Sequence, residues 1–319
     1  MRNTRLKRPP GRPQALAVAA IWLLSILYTF SAHAEEACPA FRLDQTPALQ
    51  AIPRWDQEDS FLCYAFAASV LVDARLGKGA TSPLALAADT VAYSQTKSLR
   101  SSFWGGRIEQ AIQVAKEKGL CQAGYVSDRL GDKGLKELLP ALRALQKEAR
   151  GGEPAAAAGK LQAYLQQGGA PDFLGSEILK RFLTATQDEF IAELIGTSCK
   201  GRGKADLELL SEDRSYRPQK VSFADRINGV LGIGSPLAAE FCAEVVTDAR
   251  FSPGYNSICS RHYVVVVGQR QAERCELLIR DSQCSQYQGR AGNSGCEDSH
   301  YWIDRRAFLG NTQTIHWLK

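Results

Sequence analysis

Between Phe61 and Leu76 the chain is apolar on nearly every helical face, with Leu62, Tyr64, Phe66, Val70 and Leu71 leaving no polar stripe before Gly77 and Gly79. A helix apolar all round belongs inside a domain, so a buried helix is predicted over 61–76. In "RIEQAIQVAKEKGL" the apolar positions Ile108, Ala111, Ile112 and Ala115 fall on one stripe and Gly119 ends it, which predicts an amphipathic helix. From about Leu130 to Ser215 the pieces "LKELLPALRALQKEA", "AGKLQAYLQQ" and "SEILKRFLTATQDEFIAELI" are amphipathic at helical spacing, between Gly-rich breaks. They predict a helical insertion, with Pro140 breaking or kinking its first member. After Phe223 the period shortens: "SPLAAEFCAEVV", "HYVVVVGQR", "CELLIRD" and "HYWIDRRAFL" read as strands, the run Tyr263 to Val267 being short, β-branched and apolar. Helices first and sheet last make an α+β protein of two unlike lobes.

The N-terminus adds an address. Arg2, Arg5, Lys7, Arg8 and Arg12 precede the run "ALAVAAIWLLSILYTF" and then "SAHA", with Ala32 and Ala34 at the small-residue positions before a cleavage site. This is the pattern of a secretory signal peptide over residues 1–34. The product is expected to be exported, to the periplasm or beyond, with no stable membrane span after cleavage. Removing that segment lowers the 39 basic residues to 34, equal to the 34 acidic ones. The apparent basicity belongs to the targeting segment, and no basic run with interleaved aromatics remains to bind nucleic acid.

All nine cysteines follow the signal, in a chain bound for an oxidising compartment. Eight can form four disulfides and one is left over. Cys199 has no cysteine companion between Leu130 and Ser215, so a disulfide is expected to tie the insertion to the main body. No pair has Cys-x-x-Cys spacing, and neither a metal nor another cofactor is expected.

Cys63 stands where the acidic turn "WDQEDS" gives way to the buried helix. Unpaired backbone N–H groups at a helix N-terminus favour an anion, and hence a thiolate. A thiolate nucleophile needs a proton-managing base. Of His262, His300 and His316, His262 opens the "HYVVVV" strand, whereas His300 reads as an edge residue and His316 as a structural one. Asp281 closes the neighbouring strand "CELLIRD" and is the best-placed acceptor to orient an imidazole. Gln57, six residues before Cys63, can supply a side-chain N–H to an oxyanion beside the Cys63 backbone N–H.

With these residues in place the chain resembles the papain-like cysteine peptidases. The match runs through "CYAFAAS", the Gly-Gly segment and helix of "FWGGRIEQAIQVAKEKGL", the histidine strand "RHYVVVVGQR", "LLIRDSQ" and the late "HYWIDRRAF". It covers roughly Ile52 to Asp128 and Val221 to Lys319. The resemblance implies a two-lobe fold, with a helical left lobe over 35–129 that carries the nucleophile and a β-rich, barrel-like right lobe over 216–319. The insertion over 130–215 lies between them. It implies catalysis by Cys63, His262 and Asp281, an oxyanion hole with Gln57, and an extended peptide hydrogen-bonded along Gly105 and Gly106. Arg261, beside His262, is expected to favour acidic or polar substrate groups.

Three departures qualify this picture. Asp281 holds the family's asparagine position, Phe61 and Leu62 stand where small residues flank the nucleophile, and Gln283 replaces the tryptophan that shields the histidine pair, which predicts a wetter pair. Only 28 residues lie between Ala34 and Cys63, too few for the family's inhibitory propeptide. Restraint is then left to location, substrate access or a separate inhibitor.

The expected function is an exported cysteine peptidase acting on protein or peptide substrates through an acyl-enzyme. Two alternatives remain: a transglutaminase-like or bacteriocin-processing type of Cys-His-Asp enzyme, and a catalytically dead papain fold used for binding.

Overall fold

The computed structural model describes residues 38–54, 62–77, 81–96, 105–122, 134–167, 185–186, 189–190, 192–193, 196, 199, 201–214, 222–244, 259–284 and 296–319. Residues 1–37, which include the expected signal peptide, as well as Gln57, Phe61 and most of "SEILKRFLTATQDEFIAELI", lie outside the described residues. No helix among the described residues is long and apolar enough to cross a membrane.

The chain runs from strand β1 (Phe41–Arg42) to helices α1 (Cys63–Leu76), α2 (Pro83–Thr96) and α3 (Ile108–Lys118), then strand β2 (Leu120–Cys121). Helices α4 (Gly134–Arg150) and α5 (Pro154–Gln167) follow, then strands β3 (Arg202–Gly203) and β4 (Leu209–Asp213). Helix α6 (Phe223–Gly232) leads to β5 (Leu237–Cys242), β6 (Arg261–Gln271), β7 (Cys275–Arg280) and β8 (His300–Asp304), and the chain ends with α7 (Arg305–Gly310) and β9 (Thr312–Leu318).

Helix α1 is the hub. Every residue from Tyr64 to Val72 is buried, as its unbroken apolar surface requires. It packs on α2 and α3 and on strands β5, β6 and β9, so it joins the helical layer to the sheet. Gly77 ends it at φ 63°, a left-handed conformation that a Cβ would strain. Asp73, buried near that end, accepts the backbone N–H of Thr81 (3.0 Å) and so fixes the turn into α2.

The sheet is antiparallel throughout, in the order β4-β9-β5-β6-β7-β8, with β1 paired to β6 off that path. Strands β5 and β6 lie in its middle and are buried on both faces, which is why "LAAEFC" and "HYVVVVG" read as near-continuous apolar runs. Register shifts interrupt β5 at Glu240/Phe241 and β6 between Val266 and Gly268. The sheet is open rather than a barrel: among the described residues its path ends at β4 and β8. Those ends are five-residue strands carrying Glu212, Asp213, His300 and Asp304, side chains suited to a solvated edge.

Several local expectations are corrected. Helix α4 is not ended at Pro140. The missing N–H costs one hydrogen bond, and α4 is held by packing on α5 with Leu142 and Leu161 buried. The stretch after Phe223 opens with a helix: Ser222 Oγ caps it by accepting from Asp225 N (3.1 Å), and Phe223, Ile227, Val230 and Leu231 bury one stripe. The strand expected over "HYWIDRRAFL" stops at Asp304, whose carboxylate accepts from Ala307 N (2.9 Å) and starts α7. Strands β3 and β4 lie inside the segment expected to be helical, because β4 completes its hydrogen bonds only against β9, more than a hundred residues later.

The four disulfides join Cys38 to Cys275, Cys121 to Cys199, Cys242 to Cys259, and Cys284 to Cys296. The second ties the insertion to the body, as its lone cysteine predicts, beside the β2–β3 pairing and a salt bridge from Arg202 to Asp89. The last two close the connections that follow β5 and Asp281. Cys63 is the one cysteine left free.

Candidate active site

Cys63 is the first residue of α1, half-buried, with Leu62 as the N-cap. The carbonyl of Leu62 accepts from Ala65 N (2.8 Å) and Phe66 N (3.1 Å), so the thiol rides on a fixed first turn whose free N–H groups favour negative charge. Leu62 is fully buried and absent from the cleft wall. Its bulk anchors the turn in the core instead of narrowing the substrate side.

Across from α1, His262 stands at the second position of β6, paired in register with Phe241 of β5. The Phe241 ring, itself fully buried, lies 5.9 Å from the imidazole and is backed by Phe308 at 5.2 Å, so the ring sits in a packed apolar slot. His262 Nε2 and Asp281 Oδ1 are 2.8 Å apart, with the side chains 4 % and 0 % exposed. Asp281 follows β7, the strand paired to β6, which is the reason nineteen residues of sequence become one hydrogen bond.

Burial works against a charged His262. The Asp281 carboxylate, by its charge and its hydrogen bond, and then Cys63, by hydrogen bond and charge, push its pKa up to about 10. With Nε2 taken by Asp281, Nδ1 is the nitrogen left for the sulfur. The imidazole is thus held in its charged form beside the Cys63 thiol.

The Asp281 carboxylate is fully satisfied. Oδ1 also accepts from the backbone N–H of Gln283 (2.8 Å), and Oδ2 accepts from the hydroxyl of Tyr301 (3.1 Å). The sequence predicts a wetter pair because Gln283 replaces an aromatic shield. The structure shows a dry one, with His262 3 % and Asp281 1 % exposed, because Tyr301 arrives from the adjacent strand β8.

Gly105 and Gly106 line the same cleft as Cys63, about 430 Å³ in volume. Their needs differ. A Cβ on Gly106 would lie 2.4 Å from Cζ of Tyr64, so that position must be glycine for packing. A Cβ on Gly105 meets nothing within 4 Å. Arg261 also lines the cleft, where its Nη1 donates to Glu240 Oε1 (3.1 Å). His300, expected at an edge, opens the end strand β8, and its Nδ1 lies 2.7 Å from Asp298 O. His316 is fully buried, with Nδ1 2.8 Å from Ser211 Oγ and 3.9 Å from Oε1 of Glu109.

Sequence reasoning missed three residues. Tyr301 holds Asp281, and Glu240 sits buried in the cleft wall. Arg280 donates to the carbonyls of Leu49 (3.2 Å), Ile52 (3.0 Å) and Pro53 (2.7 Å), clamping the segment that leads toward Gln57. A lone charge ending the apolar "LLIR" was the only sequence signal for that clamp.

Fold and site together define an α+β chain in which a free cysteine at a buried helix N-terminus meets a carboxylate-held histidine. No family model and no curated protein matches the sequence. Among solved structures, one concerning the mite allergens Blo t 1 and Der p 1 is similar at 13 % identity and a TM-score of 0.49, covering 90 % of this chain and 73 % of that one. The digestive procathepsin L2 proteinase of the Tenebrio molitor larval midgut is similar at 11 % identity and 0.47, over 90 % and 70 %. Xylellain, a cysteine protease from Xylella fastidiosa, is similar at 16 % identity and 0.44, over 90 % of each chain. At such identities the likeness says nothing of activity.

Proposed function

We propose that this chain is an exported cysteine peptidase of the papain-like type. The observation that carries the reading is the buried His262–Asp281 hydrogen bond with the free thiol of Cys63 on the other side of the ring. The Cys63 thiolate attacks a peptide carbonyl carbon, and the carbonyl electron pair moves onto oxygen as an oxyanion. The backbone N–H of Cys63 and the side chain of Gln57 receive that oxyanion. Its collapse expels the amine, which takes the proton from the His262 imidazolium. The neutral imidazole then draws a proton from water as the water attacks the thioester, and the acid leaves with the thiolate restored. Asp281 keeps the ring oriented and its cation stabilised throughout. Gly105 lines the cleft with open space where a side chain would stand, so an extended substrate strand can approach its backbone closely.

The test is cleavage profiling on a peptide library with wild type and Cys63→Ala, alongside labelling by a thiol-directed peptidyl epoxide. Cleavage by wild type alone, with a single label on Cys63, is expected. Folded wild type that neither cleaves nor labels would refute the reading. Efficient transfer of the acyl group to an added amine with little hydrolysis would replace it by an acyl transferase.

A further inference from the structure

The sequence offers Arg261 as a cation for acidic or polar substrate groups, and the structure gives that cation a partner within the chain. Arg261 donates to Oε1 of Glu240 (3.1 Å), and the hydroxyl of Tyr263 donates to Oε2 (3.0 Å). Arg261 and Glu240 therefore offset each other's charge at this contact. Around the cleft beside Cys63 three carboxylates, Glu109, Asp213 and Glu240, face two guanidinium groups, Arg107 and Arg261.

Depth decides which sign prevails. Both arginines are exposed, so water and salt screen them, whereas Glu240 is 8 % exposed and Asp213 is half-buried. Charges in the low-dielectric wall of a cleft project their field into it. The Tyr263 hydroxyl beside Glu240 keeps its proton: burial raises its pKa first, and the negative charges of Glu240 and Glu109 raise it further. The cleft has room for a long side chain, and its wall includes the nucleophile and the unobstructed Gly105.

We infer that the cleft beside Cys63 is a subsite for a basic side chain, lysine or arginine, of a peptide, with Glu240 as its specificity-determining residue. The inference takes its peptide ligand from the peptidase reading above, yet binding can be tested without turnover. Glu240 is a suitable recogniser because Arg261 and Tyr263 hold its carboxylate in one orientation, leaving further lone pairs on both oxygens for a substrate cation. Glu109 and Asp213 add charge at the rim.

The experiment uses signal-free protein and alanine-background peptides bearing one lysine, leucine or glutamate at each of three positions before the scissile bond. Binding is read by fluorescence anisotropy on Cys63→Ala, and kcat/KM on wild type. At one position lysine is expected to exceed leucine by about tenfold or more and glutamate by more still, with the advantage shrinking at high salt. Glu240→Gln should remove most of the lysine advantage and, by releasing Arg261, improve the glutamate peptide. Glu109→Gln, at an exposed site that folding tolerates, should lower the lysine advantage by a few-fold. Turnover with lysine, leucine and glutamate equal at every position overturns the subsite and leaves the peptidase intact. Selective lysine binding by Cys63→Ala with no turnover by wild type keeps the subsite and overturns the peptidase.

Discussion

Tyr301 donates its hydroxyl to Oδ2 of Asp281, the oxygen that His262 leaves free. The carboxylate is thus held from two strands at once, β6 through the imidazole and β8 through the phenol. Tyr301→Phe should keep the fold and loosen the carboxylate. A hydrogen bond to a buried charged group contributes about 1.5–3 kcal/mol, so a loss of that order in denaturant unfolding is expected. For peptide hydrolysis kcat should fall by roughly tenfold with KM little changed, since the phenol touches no substrate. Equal kinetics in the two proteins would remove Tyr301 from the positioning network.

Asp281→Asn removes the charge that does most to keep His262 protonated. The kcat/KM should fall on the order of 100-fold, and the alkaline limb of the pH–rate profile should move down from about 10 toward the ordinary histidine range. An unchanged alkaline limb would show that another group controls it.

The same shift bears on stability. His262 is more basic folded, at about 10, than unfolded, at about 6.5. Its contribution is fully present below the unfolded value and is lost as pH rises through the folded one. Denaturant unfolding at pH 7, 9 and 11 should show falling stability over that window in wild type, and a weaker fall in His262→Gln. Equal slopes in the two proteins would contradict the assignment.

The two glycines of the cleft separate packing from substrate approach. Gly106→Ala drives a methyl into the Tyr64 ring and should cost about 1–3 kcal/mol of stability. Gly105→Ala meets open space and should leave stability within about 0.5 kcal/mol while raising KM for extended peptides. Unchanged KM in Gly105→Ala would place the substrate elsewhere.

With eight cysteines in disulfides, unreduced native protein should take up one alkylating group, on Cys63. Peptide mapping with a mass readout checks this. Modification of a second site would mean that one of the four pairs is open.

What the sequence carried by itself was local. Helix α1 was legible because an all-round apolar run stopped by Gly77 has one solution, and β6 because "HYVVVV" suits only a buried strand. The odd cysteine count announced a free thiol, and its place at a helix N-terminus singled out Cys63, which is the free one. Helix α6 is equally legible in the stripe Phe223, Ile227, Val230 and Leu231, which the strand pattern of the following residues masks. Pro140 does not break α4, because propensity is a weak prior against the packing of a helix face.

The rest was decided by tertiary structure, through antiparallel pairing. Strand β4 has its register only against β9, and Tyr301 reaches Asp281 only because β8 lies beside β7. Glu240 meets Arg261 and Tyr263 across the β5–β6 pair, and that contact turned an expected acid-seeking arginine into the partner of a buried carboxylate. A side chain's charge is written in the sequence, but its partner, its depth and the field it projects depend on residues far along the chain that only folding brings within hydrogen-bonding distance.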